Sequence, residues 1–245
     1  MPKNTFFQFK QFTIWQDKTA LKVCTESCIL GAYTALKTKD SKTLLDIGTG
    51  TGLLALMIAQ KNNESKIDAI EIEGNAYCQA VENVSKSGFS NQIQVISQDV
   101  KYFEPSIQYD LIVSNPPFYQ NYLKSETQQR NLALHDTSLT LEDLADVVSR
   151  LLSNSGQFIV LLPPLQMAQF EVLANQKGLS VTSILKIYSK QPITSNNSPV
   201  FREICTFQKS DSQIDFELGT LYIYEEDKSY SEDFKKLLRD YYLHL

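Results

Sequence analysis

Apolar and polar positions along this chain fall into blocks that alternate in period. Thr43–Ile47 is a short, largely apolar run that ends in glycines, and Leu53–Ala59 follows as seven apolar residues without a break. That order predicts a buried strand, a tight loop and a buried helix. Lys66–Ile72 is the next strand. Asn75–Lys86 is a helix whose Ala76, Ala80, Val81 and Val84 recur near the helical period, with Gly88 as its C-cap. Gln92–Ile96 alternates as a strand, and Tyr109–Ser114 is an apolar run that reads as a buried one. Thr140 caps a helix over Leu141–Leu152, with Asp143 at its third position as the acidic partner. Gly156–Leu162 is a buried strand stopped by Pro163 and Pro164, and a helix runs on to Lys177 and Gly178. Residues 179–188 and 201–208 form a last, antiparallel strand pair, and Leu221–Leu245 a short strand and an amphipathic helix. Ahead of all this stand an aromatic arm, with Phe7, Phe9 and Phe12 spaced as in a strand or hairpin, and a helix over Ser27–Leu36. Strands alternating with helices as far as Leu162 predict an α/β fold: a parallel sheet with right-handed crossovers, and the final pair as its antiparallel edge.

Composition narrows the class. With 245 residues and 42% hydrophobic content the chain can bury a sizeable core as one domain. No apolar run approaches the ~18 residues of a membrane span, and the opening MPKNTFFQFKQF is too polar for a signal-peptide core. The four cysteines, at 24, 28, 78 and 205, have no second pair to complete a metal site and read as free thiols of a reducing cytoplasm. Two histidines, His135 and His244, argue against zinc or histidine-centred catalysis. A net charge of −5 is unhelpful to nucleic-acid binding, although Lys3, Lys10, Lys18 and Lys22 make the start locally basic and Lys186, Lys190 and Arg202 form a second candidate patch.

Two motifs carry chemistry. Gly48, Gly50 and Gly52 form G-x-G-x-G between strand and helix, where backbone can approach a ligand. Leu53 stands where the dinucleotide fingerprint wants glycine, and no Gly-Lys-Ser/Thr follows, which excludes a P-loop. Asp46, just before the glycines, suits a cation such as the amino acid end of S-adenosylmethionine and suits a pyrophosphate poorly. Glu71 ends the next strand about twenty residues on, where a carboxylate accepts from ribose hydroxyls; Glu73 is its close rival. Asp99 can accept from an adenine amino group or serve a surface turn. The second motif is Asn115-Pro116-Pro117-Phe118 at the end of the strand 109–114. The prolines stop the strand and fix the backbone. The Asn115 side-chain oxygen and the Pro116 carbonyl then present two acceptors suited to a planar NH2 group, and Phe118 a face for stacking a heterocycle. The polar stretch 119–138 after it is long enough for a substrate-gripping lid.

On these motifs the chain resembles the class I S-adenosylmethionine-dependent methyltransferases. DIGTGTG resembles their cofactor motif, and NPPF the catalytic motif of enzymes that methylate an amino nitrogen conjugated to a π system. Within that superfamily it is similar to the bacterial tRNA1(Val) (adenine-37-N6)-methyltransferases, over nearly its whole length: FKQF, DKTALKVCTESCILGAY, NPPFYQNYLKSETQQR and the terminal YSEDFKKLLRDYYL. The last segment is the most specific, because generic methyltransferases lack it. The resemblance implies a Rossmann-like fold, with a seven-stranded, mostly parallel sheet, an antiparallel edge pair and helices on both faces. It implies one methyltransferase domain over 1–245, made of an arm and helix (1–40), a cofactor-binding core (41–210) and a terminal strand and helix (211–245). The activity implied is N6-methylation of adenine 37 in a valine tRNA, by a cytoplasmic monomer that needs S-adenosylmethionine and no metal. Asp46, Gly48, Thr49, Gly50, Gly52, Glu71, Ile72, Asp99, Val100 and Asn115 would hold the cofactor. Asn115, Pro116, Pro117 and Phe118 would carry catalysis, and Lys10, Lys22, Arg130 and Arg202 would grip RNA. Two residues depart from the family pattern: Cys24 stands where it has glycine, and Leu134, before His135, where it has arginine. The first threatens the turn beside the cofactor; the second removes a phosphate contact.

Other readings compete. A glutamine-amide methyltransferase acting on protein also uses NPPF, but such enzymes carry a helical N-terminal domain for which the glycine loop at residue 48 leaves little room. A guanine-N2 methyltransferase on ribosomal RNA is a second enzyme alternative. A non-catalytic RNA-binding protein on a worn methyltransferase fold is disfavoured by the intact DIGTGTG, Glu71 and NPPF.

Overall fold

The structure, a computed structural model, describes residues 4–19, 21–38, 41–117, 139–191, 199–209 and 216–245. In chain order the elements are β1 (Phe6–Gln8), β2 (Thr13–Trp15), α1 (Thr25–Lys37), β3 (Thr43–Ile47), α2 (Leu53–Ala59), β4 (Lys66–Glu71), α3 (Gly74–Ser85), β5 (Ile93–Ser97), β6 (Tyr109–Ser114), α4 (Leu141–Leu151), β7 (Leu152–Leu162), α5 (Pro164–Gln176), β8 (Leu179–Lys190), β9 (Arg202–Lys209), β10 (Glu217–Tyr224) and α6 (Glu232–Leu238). β1 and β2 pair as a small antiparallel hairpin, as the aromatic spacing predicts. The remaining strands form one sheet in the order β10-β8-β9-β7-β6-β3-β4-β5.

The runs predicted to be buried on both faces lie inside that sheet. β3 and β6 are neighbours, in parallel register from Leu44 opposite Leu111 to Ile47 opposite Ser114. From β3 the chain winds through β4 to β5 on one side and later through β6 to β7 on the other, so the order reverses between β3 and β6. Open α/β sheets bind ligands at the carboxyl ends of strands flanking such a switch point. One core cluster packs α1, α2, the hairpin and the chain's terminal segment on one face; a second packs α4 and α5 on the other.

The structure corrects five details. Among the described residues the sheet has eight strands where seven were predicted. β9 is antiparallel to both β7 and β8 and sits between them, so the antiparallel pair is not the edge; β10, parallel to β8, is outermost. β10 starts at Glu217, ahead of the predicted Leu221, because Glu217, Leu218 and Thr220 are exposed and show no apolar run. Gly88 does not cap α3: the helix closes earlier, with the Lys86 amide on the Glu82 carbonyl and the Ser87 amide on that of Val84. Finally, β7 begins at Leu152, immediately after α4, and its register with β6 shifts between Tyr109 and Leu111. There Gly156 is required by space, since a Cβ would lie 2.8 Å from the Tyr109 carbonyl oxygen.

The two ends of the described chain pack on each other. Phe9 stacks on Phe12 at 4.7 Å and forms a β-bridge with Tyr242, while the Tyr241 hydroxyl donates to the Met57 carbonyl of α2 at 3.0 Å. Burial of each such aromatic stabilises by roughly 1.5–3 kcal/mol. The segment YSEDFKKLLRDYYL thus docks the hairpin onto α1 and α2.

Candidate active site

The glycine loop is built by its own backbone. Gly48, Gly50 and Gly52 all have positive φ, at 72, 60 and 82°. Side chains other than glycine seldom take up this conformation, and the alternating pattern lets the chain reverse tightly into α2. Beside Gly48 a Cβ would meet no atom within 4 Å, so the loop's outer side is open. Its inner side is pinned: the Gly48 and Thr49 amides both donate to the Ile70 carbonyl at 2.9 Å, and the Gly50 amide to Glu71 Oε2 at 2.8 Å.

Glu71 is the hub of this pinning. It is 8% exposed, and its Oε1 accepts from the amides of Ile72 and Glu73, both at 2.9 Å. The carboxylate is thereby aimed before any ligand arrives. Glu73 is otherwise engaged. It caps α3 by accepting from the Asn75 and Ala76 amides, which hold its carboxyl below the usual range. This separates the two rivals: one is committed to a helix end, the other faces the loop.

Asp46 lies beneath the glycines with no exposure. Thr49 Oγ1 donates to its Oδ2 at 2.6 Å, while its Oδ1 is buried without a hydrogen-bond partner among the described residues. Burial, with the nearby charge of Glu71, pushes its carboxyl up to about 7; the Thr49 hydroxyl and the Ala55 amide pull it back only in part. Asp99 accepts from the Lys101 amide at 2.9 Å, pairs with the Lys101 ammonium at 3.6 Å, and starts a short turn that buries Val100. The register of Glu71 with Ser97 brings that turn to the same edge, next to Glu71 and Ile72.

Across the switch point, Ser114 Oγ donates to the Ile47 carbonyl at 2.9 Å and ties the ends of β6 and β3 together. Asn115 is therefore the residue alongside Gly48. Its Oδ1 is buried and has no hydrogen-bond partner among the described residues. Pro116 is buried and Pro117 exposed. An acceptor shut away from water and left unpaired costs about 1–3 kcal/mol, which a donor reaching it would recover. Phe118, Arg130, Leu134, His135 and the 119–138 segment lie outside the described residues, as does Lys3.

The remaining sequence candidates are held by different elements. Lys10 donates its ammonium to the Arg239 carbonyl. Lys22 donates to the carbonyls of Gln16 and Thr19. Arg202 pairs with Glu26 of α1 at 3.6 Å and stacks over the Phe201 ring at 4.3 Å. Cys24, feared to disturb its turn, has φ −127°, an extended value open to any residue, and occupies the N-cap of α1. Sequence reasoning missed Gln79 and Asn83. Both are fully or almost fully buried on α3, at 0% and 1%. Asn83 grips Trp15 through its amide and carbonyl and donates to the Thr51 carbonyl at 2.8 Å, while Gln79 accepts from the Lys18 amide. They bind the segment after β2 to the glycine loop. Their signal was present as two amides four residues apart on the apolar face of a helix.

Among the described residues no group of three or more His, Cys, Asp or Glu could hold a metal, and no helix is long and apolar enough to cross a membrane. The residues on this edge do fit S-adenosylmethionine: a glycine loop open outward, a pre-aimed carboxylate, and two buried acceptors, on Asp46 and Asn115, that await donors.

Comparison with known proteins agrees. The family model described as Methyltransferase small domain matches residues 32–143. A solved structure of a predicted O-methyltransferase from Agrobacterium tumefaciens is similar with a TM-score of 0.66, covering 87% of this chain and 95% of that one, at 17% identity, and so shares the fold. A curated protein of Cytophaga hutchinsonii, named tRNA1(Val) (adenine(37)-N6)-methyltransferase, is 40% identical over 99% of both chains, and one of that name from Dyadobacter fermentans is 38% identical over the same shares. On end-to-end similarity of that order, the chain belongs to the tRNA1(Val) (adenine(37)-N6)-methyltransferase family.

Proposed function

We propose that this protein methylates the N6 nitrogen of adenine 37 in a valine tRNA, using S-adenosylmethionine. The observation that carries the reading is the buried Oδ1 of Asn115, without a hydrogen-bond partner among the described residues, beside the glycine loop. The names of the full-length relatives support the choice of RNA and base. The chain acts as one domain over 1–245 and as a cytoplasmic monomer.

The exocyclic nitrogen of adenine is a poor nucleophile because its lone pair is delocalised into the ring. Asn115 Oδ1 and the Pro116 carbonyl accept its two hydrogens, which draws the nitrogen towards sp3 geometry and turns the lone pair towards the cofactor side of the switch point. The chemistry supplied by bound S-adenosylmethionine is an electrophilic methyl group on a sulfonium. Gly48, Thr49, Gly50 and Gly52 seat the cofactor, Glu71 and Ile72 its ribose, and Asp99 and Val100 its adenine. Asp46 offsets its cationic end. Alignment and electrostatics do most of the work, and the nitrogen gives up its proton to water after the transfer, so no histidine base is needed. The target base leaves its stack, and Phe118 holds it by its face. Lys10, Lys22, Arg130 and Arg202 contribute phosphate contacts.

The test is nucleoside analysis of valine tRNA from a strain lacking the protein, incubated with it and labelled cofactor. N6-methyladenosine at position 37 is the expected product. Methylated glutamine or N2-methylguanosine instead would keep the cofactor chemistry and overturn the substrate.

A further inference from the structure

The face of the sheet that carries α4 and α5 is not covered to its edge. α5 packs on β7, β8 and β9, and β10 makes its extensive contacts only with β8 and α6 among the described residues. On β10, Leu221 and Ile223 point into the core on the α6 side, which leaves Leu218, Thr220 and Tyr222 on the opposite, open face. Register continues that face onto β8, with Thr220 opposite Lys186 and Tyr222 opposite Tyr188. The two tyrosine rings lie 5.3 Å apart, tilted by 32°. Lys190, two residues beyond Tyr188, is exposed at the carboxyl end of β8.

From this we infer that the open face of β8 and β10 is an RNA-docking surface, on which unpaired bases of the tRNA rest against Tyr188 and Tyr222 while Lys186 and Lys190 neutralise phosphates. The inference rests on the function proposed above and adds the surface that holds its substrate. Three observations favour RNA as the occupant. Charge is the first: in a chain of net charge −5, this face presents two lysines that form no ion pair among the described residues. Chemistry is the second: half-buried aromatics on a sheet surface, flanked by cations, take up bases of any sequence by stacking. Continuity is the third. Lys186 faces Glu203 in register, Glu203 faces Leu162, and Leu162 ends the strand next to the one that leads into Asn115. RNA lying on this face is therefore aligned along the same carboxyl edge as the reacting site. Glu203 is the one acidic neighbour in that row. Burial raises its carboxyl, Lys186 beside it lowers it, and the charge of Glu171 raises it again.

The experiment measures binding of a fluorescein-labelled, unmodified valine tRNA transcript by anisotropy across about 50–200 mM salt, with methyl transfer to the same transcript followed in parallel. The double variant Lys186→Ala/Lys190→Ala is expected to weaken binding about tenfold at low salt and to reduce the salt slope by about two. Lys186→Arg/Lys190→Arg is expected to retain both. Tyr222→Leu is expected to weaken binding about fivefold or more at every salt concentration, and Tyr222→Phe to keep it. Cofactor affinity, read by calorimetry, should stay unchanged in all four. Wild-type affinity and salt slope in both Lys186→Ala/Lys190→Ala and Tyr222→Leu would overturn the surface while leaving the enzyme's function intact. A dimer in sedimentation that Tyr222→Leu dissociates would also overturn it, in favour of a second copy of the chain. Failure of the wild-type protein to methylate a tRNA that it binds through these residues would instead sink the proposed reaction and keep the surface.

Discussion

The two sides of the switch point are built on opposite principles. On the β3–β4 side nearly every backbone donor of the loop is already spent: Gly48 and Thr49 on the Ile70 carbonyl, Gly50 on Glu71. On the β6 side the strand is tied down by Ser114, and the next residue has a buried acceptor with no partner among the described residues. In the first half the loop's backbone donors are met within the fold, and what is left open beneath them is one oxygen of the Asp46 carboxyl, without a hydrogen-bond partner among the described residues. The second leaves an acceptor whose pairing would add about 1–3 kcal/mol, and in the function proposed above the target amino group brings that donor. Mutations should therefore split: damage to the cradle reads as affinity and stability, damage to Asn115 as rate.

The largest effect is expected at Asn115. Asn115→Ala removes the waiting acceptor and should slow single-turnover methyl transfer about a hundredfold or more, on the scale of one lost oxyanion-type contact. Melting temperature and cofactor affinity should hold, because no described residue depends on that oxygen. Transfer at the wild-type rate would reduce the motif to a proline turn. Glu71→Ala comes next. Three backbone amides lose their acceptor along with the ribose contact, so cofactor binding should weaken by roughly 1–3 kcal/mol in calorimetry and the apo protein should melt earlier. An unchanged cofactor affinity would contradict the hub role.

Asp46 sharpens the comparison through pH. Its carboxyl, raised to about 7 in the fold, sits above the ordinary 3.8. The folded state thus holds a proton that the unfolded chain has already lost, and this stabilising contribution is full below the unfolded value and disappears as pH rises towards the folded one. Melting temperature of the apo protein should therefore fall between about pH 4 and 7 more steeply in wild type than in Asp46→Asn. Because a cationic ligand favours the charged carboxylate, cofactor affinity should also rise from about pH 5.5 to 7 in wild type and flatten in the variant. A pH-independent wild-type affinity would remove Asp46 from the cation's environment. The smallest effect is expected from Cys24→Gly. The extended backbone there needs no glycine, so restoring the family residue should change stability by less than about 1 kcal/mol, with cofactor affinity unaltered.

Much of this was legible in the residues themselves. Strand, loop and helix from Thr43 to Ala59 follow from apolar runs broken by glycine. The Thr140–Asp143 capping box was read from two residues and occurs as read. Both motifs were assigned to carboxyl ends of strands, where they stand. These features depend on local rules: period, caps, and the backbone limits of glycine and proline. Three things were decided only by the tertiary structure. The different settings of Glu71 and Glu73 needed the path of α3, because it is the helix end that engages the second carboxylate. The place of β9 inside the sheet, and of β10 at its edge, is a matter of non-local pairing, about which alternating side chains say nothing. The purpose of Gln79 and Asn83 appeared only once the segment after β2 was seen to cross α3. A polar side chain on an apolar helix face shows that a partner exists, and chain folding alone determines which one it meets.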